Sequence, residues 1–561
     1  MGLPVFFLTM AVLAAVTPAD GRAYDGSAGA RTIVSITICN QDETGALTAA
    51  CDGAYDTERP VLAPGASDIN TFGVSTASDG HSTVFPPGRL DGNPDYRLFV
   101  ASGFKGVNAD IGVMVLSSLG PDEHGQWTAQ PATAEGYGSY AIGPGAVFMP
   151  PMKPTQCPAL TGPAGTPLPL SQQDATFDLN YAAAGSIFAI PGGPSSRLLM
   201  VYEGNNDCIG APGGPKLGVK NSYQSTGIAT SLDGGRTWPR YAPKEPYIPA
   251  LLPFANPSVD DHGPRAPLGA MGQDVCSGNV CPASLPPSAN PSNYGRYEVL
   301  APRQSLNDLM MQATPINGQY GHAEPSAFVD DVHPNDDENG PSPYVYVLTH
   351  YLSNGMTPLQ PPSNGRKDDL SIARARMDRD GTPLHFSKWT GSAFSAISDG
   401  LSDTDAPMLP AASDGNFTAC GDNLDNQGRS MGSISWVEET RQYLLVFVCT
   451  SPGDPAGGSP STRFGSAWFY STNDDLNNQN AWTVPKEIEG SYQDHDTSAG
   501  AGCPVYHGWY PSFMSLNEEP GHLSTQGFVF YMKGSQGACT GGGLPPRVYS
   551  SRQFTIATAP R

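Results

Sequence analysis

Two carboxylates occupy matching places in the chain. Glu324 lies in His322-Ala323-Glu324-Pro325-Ser326 and Asp79 in Asp79-Gly80-His81-Ser82, each just ahead of a serine that opens an apolar run. Two carboxyls held across a pocket can divide the work of a hydrolysis. One, shielded from water, keeps its proton and serves as general acid; the other stays ionised and serves as base or nucleophile. The plain alternative for either is a turn cap. Further carboxylates precede comparable runs: Asp178, then Asp422 and Asp425, then Asp494 and Asp496 around His495.

What must position these groups is a pattern repeated five times: a small or polar turn, Gly or Pro, Ser, a few apolar residues, a short gap, then a β-branched and aromatic run. The copies begin at His81-Ser82-Thr83-Val84-Phe85, Gly185-Ser186-Ile187-Phe188, Pro325-Ser326-Ala327-Phe328-Val329, Gly432-Ser433-Ile434-Ser435-Trp436 and Pro511-Ser512-Phe513-Met514. Their second runs are Tyr96 to Val100, Leu198 to Tyr202, Tyr344 to Leu348, Tyr443 to Phe447 and Phe528 to Tyr531. Each copy reads as a hairpin of buried strands. A third strand follows in every copy, at Ile111 to Ser117, Gly227 to Ser231, Leu370 to Ala375, Ala467 to Ser471 and Val548 to Ser551. In the first four a tryptophan closes the next turn: Trp127, Trp238, Trp389 and Trp482.

Five sheets of about four strands, with edges that need covering, call for radial closure. The expected fold is therefore all-β, a single five-bladed β-propeller over residues 24–561. The last copy runs out of chain after Phe554-Thr555-Ile556, so the unpartnered run Thr32 to Ile38 is expected to complete it. Ser231-Leu232-Asp233-Gly234-Gly235-Arg236-Thr237-Trp238 fits the Asp-box of sialidase-type propellers. Its expected role is to shape a turn, not to act on substrate.

Composition narrows the function. Lys and Arg number 30 against 53 Asp and Glu, a net charge of −23, which would repel nucleic acid and anionic membranes. Residues 1–23 read as a signal peptide ending near Ala23, which implies a secreted or periplasmic protein, expected to be monomeric and without a membrane span. Ten cysteines in an exported chain imply disulfides: Cys39 with Cys51, Cys157 with Cys208, Cys276 with Cys281, Cys420 with Cys449, and Cys503 with Cys539. No cofactor or catalytic metal is implied. The acidic run Asp330, Asp331, Asp336, Asp337, Glu338 could hold a structural calcium but reads better as a solvated hairpin tip. Asn416-Phe417-Thr418 is a glycosylation sequon in a eukaryotic host. Gly428-Arg429-Ser430-Met431-Gly432 matches the nucleophile elbow of α/β-hydrolases, but a strand follows it where that motif needs a helix.

The run Glu324 to Asp331, with Tyr344-Val345-Tyr346 and Leu370-Ser371-Ile372-Ala373-Arg374, resembles five-bladed propeller glycoside hydrolases of the arabinanase, xylosidase and fructosidase type. The resemblance implies a secreted enzyme acting on a polysaccharide or oligosaccharide. It also implies that Glu324 is acid or pKa modulator and that Asp79 is base or nucleophile. Their separation would choose between retention, at about 5–5.5 Å, and inversion, at roughly 6.5–9.5 Å; inversion is expected, since blades one and three face each other. His81, His322, His507, Trp509 and Tyr510 offer rings to stack on or hydrogen-bond a sugar, and Arg429 could meet an anion. The three converging arginines of a true sialidase cannot be assembled from the spacing. A lectin-like propeller without activity, or a matrix protein binding others through its loops, is the alternative.

Overall fold

The computed structural model describes residues 31–39, 59–61, 74–77, 80–90, 93–104, 111–122, 125–137, 146–148, 181–190, 197–206, 221–238, 296–300, 318–337, 340–352, 368–377, 386–396, 406, 408–409, 429–450, 465–491, 493–494, 505–535 and 548–561. The described chain is all-β; a single 3-10 turn, Gln479–Ala481, is its one helical element. No helix among the described residues is long and apolar enough to cross a membrane.

Each repeat forms an antiparallel unit. In unit one Thr83–Phe85 pairs with Tyr96–Phe104, then Ile111–Pro121 and Trp127–Pro131. Unit two runs Tyr181–Ala189, Leu198–Asn206, Asn221–Ser231, Arg296–Leu300. Unit three runs Gly318–Asp337, Gly340–Leu352, Asp368–Arg376, Phe386–Trp389. Arg429–Val437, Gln442–Thr450, Gly465–Asn473 and Lys486–Glu487 make unit four. In unit five Val505–Met514, Gln526–Ser535 and Val548–Pro560 are joined by the N-terminal strand Arg31–Ile38, paired from Arg31 opposite Pro560 to Ile38 opposite Phe554 with one register shift between Ile33 and Ser35. The open edge of the last repeat takes up the orphan strand, as its unpaired N–H and C=O groups require.

The repeated serine has a physical purpose. At each innermost strand a hydroxyl reaches the backbone of the next unit. Thr83 Oγ1 accepts the Ile187 N–H at 3.0 Å, and Ser186 Oγ accepts the Ala327 N–H at 2.9 Å. Ser326 Oγ donates to the Gly432 carbonyl at 2.5 Å, and Ser433 Oγ to the Pro511 carbonyl at 3.0 Å. Ser512 Oγ accepts the Ser82 N–H at 3.0 Å, returning the series to unit one. In unit one the bonding hydroxyl belongs to Thr83, one residue beyond the serine that the repeat aligns. Below this ring the innermost strands enclose a narrow cavity lined by His81, Ser186, Phe328, Ser433, Ser512 and Phe513, among others.

Between units the apolar faces interlock. Trp127 is buried against Phe528 and Phe530, with ring centroids 5.5 and 5.1 Å apart, which packs unit one onto unit five. Trp238, Trp389 and Trp482 are buried as well. The turn leading to Trp238 is self-locked: Asp233 Oδ1 accepts the Thr237 N–H at 2.9 Å, its Oδ2 accepts the Thr237 hydroxyl at 2.6 Å, and Trp238 Nε1 donates to the Gly235 carbonyl at 3.0 Å. Asp233 is thereby committed to the turn. Cys39 and Cys449 are disulfide-bonded and buried. The other eight cysteines, and with them the five expected pairings, lie outside the described residues, as do the signal peptide and the sequon.

At the end remote from Glu324, one member of the acidic run, Asp330, departs from the expected solvated tip; Asp331 is exposed as expected, and the side chains of Asp336, Asp337 and Glu338 lie outside the described residues. Asp330 is buried and accepts hydrogen bonds from the Tyr443 hydroxyl at 2.8 Å and the His333 N–H at 3.1 Å. The strand Gly318–Asp337 continues through it, so burial is set by the neighbouring unit. No group of three or more metal-binding side chains gathers among the described residues. Asp331 instead pairs with His522 Nε2 at 3.4 Å, and Glu438 with His522 Nδ1 at 2.7 Å. Burial alone would lower the His522 pKa, but the two carboxylates override it and raise it to about 10. A raised histidine stabilises the fold fully below the unfolded value of 6.5 and loses that contribution as pH rises through about 10. The His522 ring signals are therefore expected to show an imidazolium at pH 8. Glu438→Gln should bring the titration midpoint down; an unchanged midpoint would contradict the pairing.

Candidate functional site

The end of the molecule from which the innermost strands set out gathers side chains from every unit. Three of those strands carry the same irregularity. Pairing skips from Ala323 to Ser326, from Ser430 to Ser433 and from Trp509 to Ser512. Inside each gap one non-glycine residue takes a left-handed backbone: Glu324 and Met431 at φ 53°, Tyr510 at φ 54°. A bulge re-aims a side chain, and a non-glycine residue there is held against its own preference by its surroundings. The repeat places each of these residues two ahead of a ring serine.

The bulge at Glu324 frees its N–H from the sheet. It is taken by Glu203 Oε2 at 2.7 Å, reaching across from unit two. Glu324 repeats the arrangement one unit on: its Oε2 accepts the Met431 N–H at 3.2 Å. The same oxygen lies 3.2 Å from His350 Nδ1. Glu203 and His350 hold equivalent positions, each two residues past the cross-strand partner of the ring serine, Val201 opposite Ser186 and Leu348 opposite Ser326. Both are buried, whereas the Glu324 side chain keeps 16% exposure and is the carboxylate of the pair that meets solvent.

Electrostatics separates the groups. Burial pushes the Glu203 carboxyl up to about 7; the Glu324 N–H and Asn205 act against that shift, and the Glu324 carboxylate adds to it. Burial, then the Glu324 and Glu203 charges, hold the Tyr510 phenol well above its usual range. Burial also lowers His81 to about 3, leaving a neutral imidazole edge-on to Tyr510 at 5.5 Å. The site thus combines a carboxyl poised near neutrality, a second carboxylate at the surface, a protonated phenol and a neutral imidazole.

Glu203 carries a testable consequence. Its folded value near 7 exceeds the unfolded 4.5, so the native state holds the extra proton between those limits. Stability from this group is greatest below pH 4.5, falls as pH rises towards 7 and is level beyond, by up to about 3 kcal/mol. Urea unfolding should show Glu203→Gln gaining on wild type between pH 5 and pH 8. A constant difference would refute the burial argument.

The structure disperses some of the residues that the sequence grouped. His322 is buried, Nδ1 3.0 Å from Thr349 Oγ1 and Nε2 2.9 Å from Lys388 Nζ. An ammonium can only donate, so Nε2 accepts and Nδ1 carries the proton. His81, Arg429, Trp509 and Tyr510 are buried at this end. Ser430 lies within the strand Arg429–Val437, which excludes a nucleophile elbow. Asp79, Asp178, Asp422, Asp425, His495 and Asp496 lie outside the described residues, as do the side chains of Asp494 and His507. Glu203 and His350 escaped the sequence reading, which ended their strands at Tyr202 and Leu348. The signal was there: Leu198 to Tyr202 is an unbroken apolar run, which marks a strand covered on both faces, so the next residue is buried too.

No protein-family model matches this chain, and no curated protein does. Among solved structures it is similar to the catalytic domain of the Coprinopsis cinerea GH62 alpha-L-arabinofuranosidase, at 10% identity over 89% of this chain and 96% of that one, TM-score 0.32. It is similar also to the GH93 alpha-L-arabinofuranosidase of Fusarium graminearum in complex with arabinobiose, at 8% over 89% and 98%, TM-score 0.36. A third is the endo-1,5-alpha-L-arabinanase from Thermotoga petrophila, at 11% over 86% and 75%, TM-score 0.31. Likenesses this distant decide no activity.

Proposed function

We propose that the protein is a secreted glycoside hydrolase acting on a polysaccharide or oligosaccharide. In this reading the five units are the blades of one closed propeller, and the site sits at the mouth of its axis. The observation that carries it is Glu324: a carboxylate on a left-handed backbone, anchored through one oxygen by Met431 N–H and His350, beside a second carboxyl poised near neutrality. Such a pair suits proton transfer to a leaving glycosidic oxygen.

Glycosidic cleavage also needs a group on the other side of the sugar. Asp79, two residues ahead of His81 at the start of unit one, is the candidate base or nucleophile, with Asp178 and Asp422 next in order. Tyr510 and His81 pack edge-on to each other, buried behind Glu324, and these uncharged rings in place of a cation suit a neutral sugar better than an anionic one. The test is the release of reducing ends from a panel of neutral polysaccharides, arabinans and xylans included. Product formation that Asp79→Asn abolishes is the expected result. Binding without product would replace the hydrolase with a lectin-like propeller.

A further inference from the structure

Among the described residues Glu203 is an unexpected side chain: a carboxyl buried at the junction of two units, in a strand otherwise apolar up to Tyr202. Its Oε2 lies 2.7 Å from the Glu324 N–H, the amide that the bulge removes from the sheet. Without that acceptor a part-buried N–H would go unpaired and the left-handed conformation of Glu324 would lose its main tether. The backbone geometry of Glu324 is thus fixed from the neighbouring unit.

We propose that Glu203 is a positioning residue: by holding the bulge amide it aims the Glu324 carboxylate at the mouth, and its own proton sets the charge that Glu324 works beside. The groups facing it are Glu324 from the innermost strand of unit three, His350 from the second strand of that unit, Tyr510 from unit five and Asn205 on its own strand. Ionisation of Glu203 places a second negative charge next to Glu324 and strengthens the hold on the amide at the same time. Both effects are relayed to His350, which touches Glu324 Oε2.

The kinetic half of this proposal rests on the glycosidase reading; the geometric half does not, and two arms separate them. In the first, the full-length protein with isotope-labelled histidine is titrated by NMR, the His350 resonance being assigned through His350→Gln. Wild type should show in the His350 shifts a component that follows Glu203 near pH 7, beside whatever the imidazole itself contributes, and Glu203→Gln, whose amide oxygen can still accept the N–H, should remove that component and so alter the His350 curve. Identical His350 titrations in the two proteins would overturn the proposal whether or not any substrate is found. In the second arm, on a polysaccharide that the wild type cleaves, Glu203→Gln should keep KM and lose the limb of the kcat profile near pH 7. Glu203→Ala, which cannot hold the amide, should lower kcat by roughly 100-fold. A residue needed only for packing would lower the melting temperature in both variants and leave the pH profile of Glu203→Gln like that of wild type, which would also overturn it. Absence of any cleaved substrate would remove the glycosidase reading and leave the first arm to decide.

Discussion

Glu324→Gln is expected to reduce turnover by roughly 1,000-fold while leaving the fold and ligand binding close to those of wild type. The amide has the shape of the carboxylate, and its oxygen can still accept the Met431 N–H that Oε2 receives at 3.2 Å. What the amide cannot do is donate a proton to a departing oxygen or hold a negative charge beside His350. Steady-state kinetics on the best substrate, together with a melting curve, make the comparison. Turnover within tenfold of wild type would remove Glu324 from the chemistry. Loss of activity accompanied by a collapse of the melting temperature would assign it to the fold instead.

Gly185→Ala is expected to destabilise the protein by about 3 kcal/mol or more, the upper range for a crowded interior site. A Cβ at this position would meet the Pro325 carbonyl oxygen at 2.2 Å and the Val201 carbonyl oxygen at 2.9 Å, both backbone atoms that no rotamer change can move away. Gly185 falls at the register shift opposite Val201 and Tyr202, where the backbone of unit three at Pro325 comes close. Relief would require the junction to open, and with it the bond between Ser186 Oγ and the Ala327 N–H. Because Pro325 follows Glu324, the substitution should also disturb the site. Denaturant titration should show the transition midpoint falling well below wild type. A midpoint unchanged within error would mean that the two strands are not in such close contact.

Both substitutions act where units meet, and there the division between sequence and tertiary structure is sharpest. The five hairpins were legible because their signals are local: apolar runs of strand length, bounded by Gly, Pro and Ser, need no distant partner to be recognised. The N-terminal strand was assigned to the last repeat for a similar reason, since an incomplete unit leaves a free edge and an orphan run of Thr, Ile and Val can fill it. Glu324 and Tyr510 were found because they precede the repeated serine. The serine itself was visible as a pattern, but its bond to the next unit was not, and in unit one the bonding hydroxyl proved to be Thr83.

What the sequence determined by itself, then, is the periodic part of this protein: an all-β chain of five Ser-centred hairpins, its own N-terminal strand closing the last, and a carboxylate ahead of the third. Tertiary structure decided the rest. The amide of Glu324 meets a carboxyl 121 residues earlier in the chain, and no local propensity encodes that meeting. The bulge that turns Glu324 outward, the burial that lifts Glu203 towards 7, and the contact of His350 with Glu324 all arise where one unit packs against the next. A residue's type fixes which proton it can carry; its neighbours, and the water they exclude, fix when it carries it.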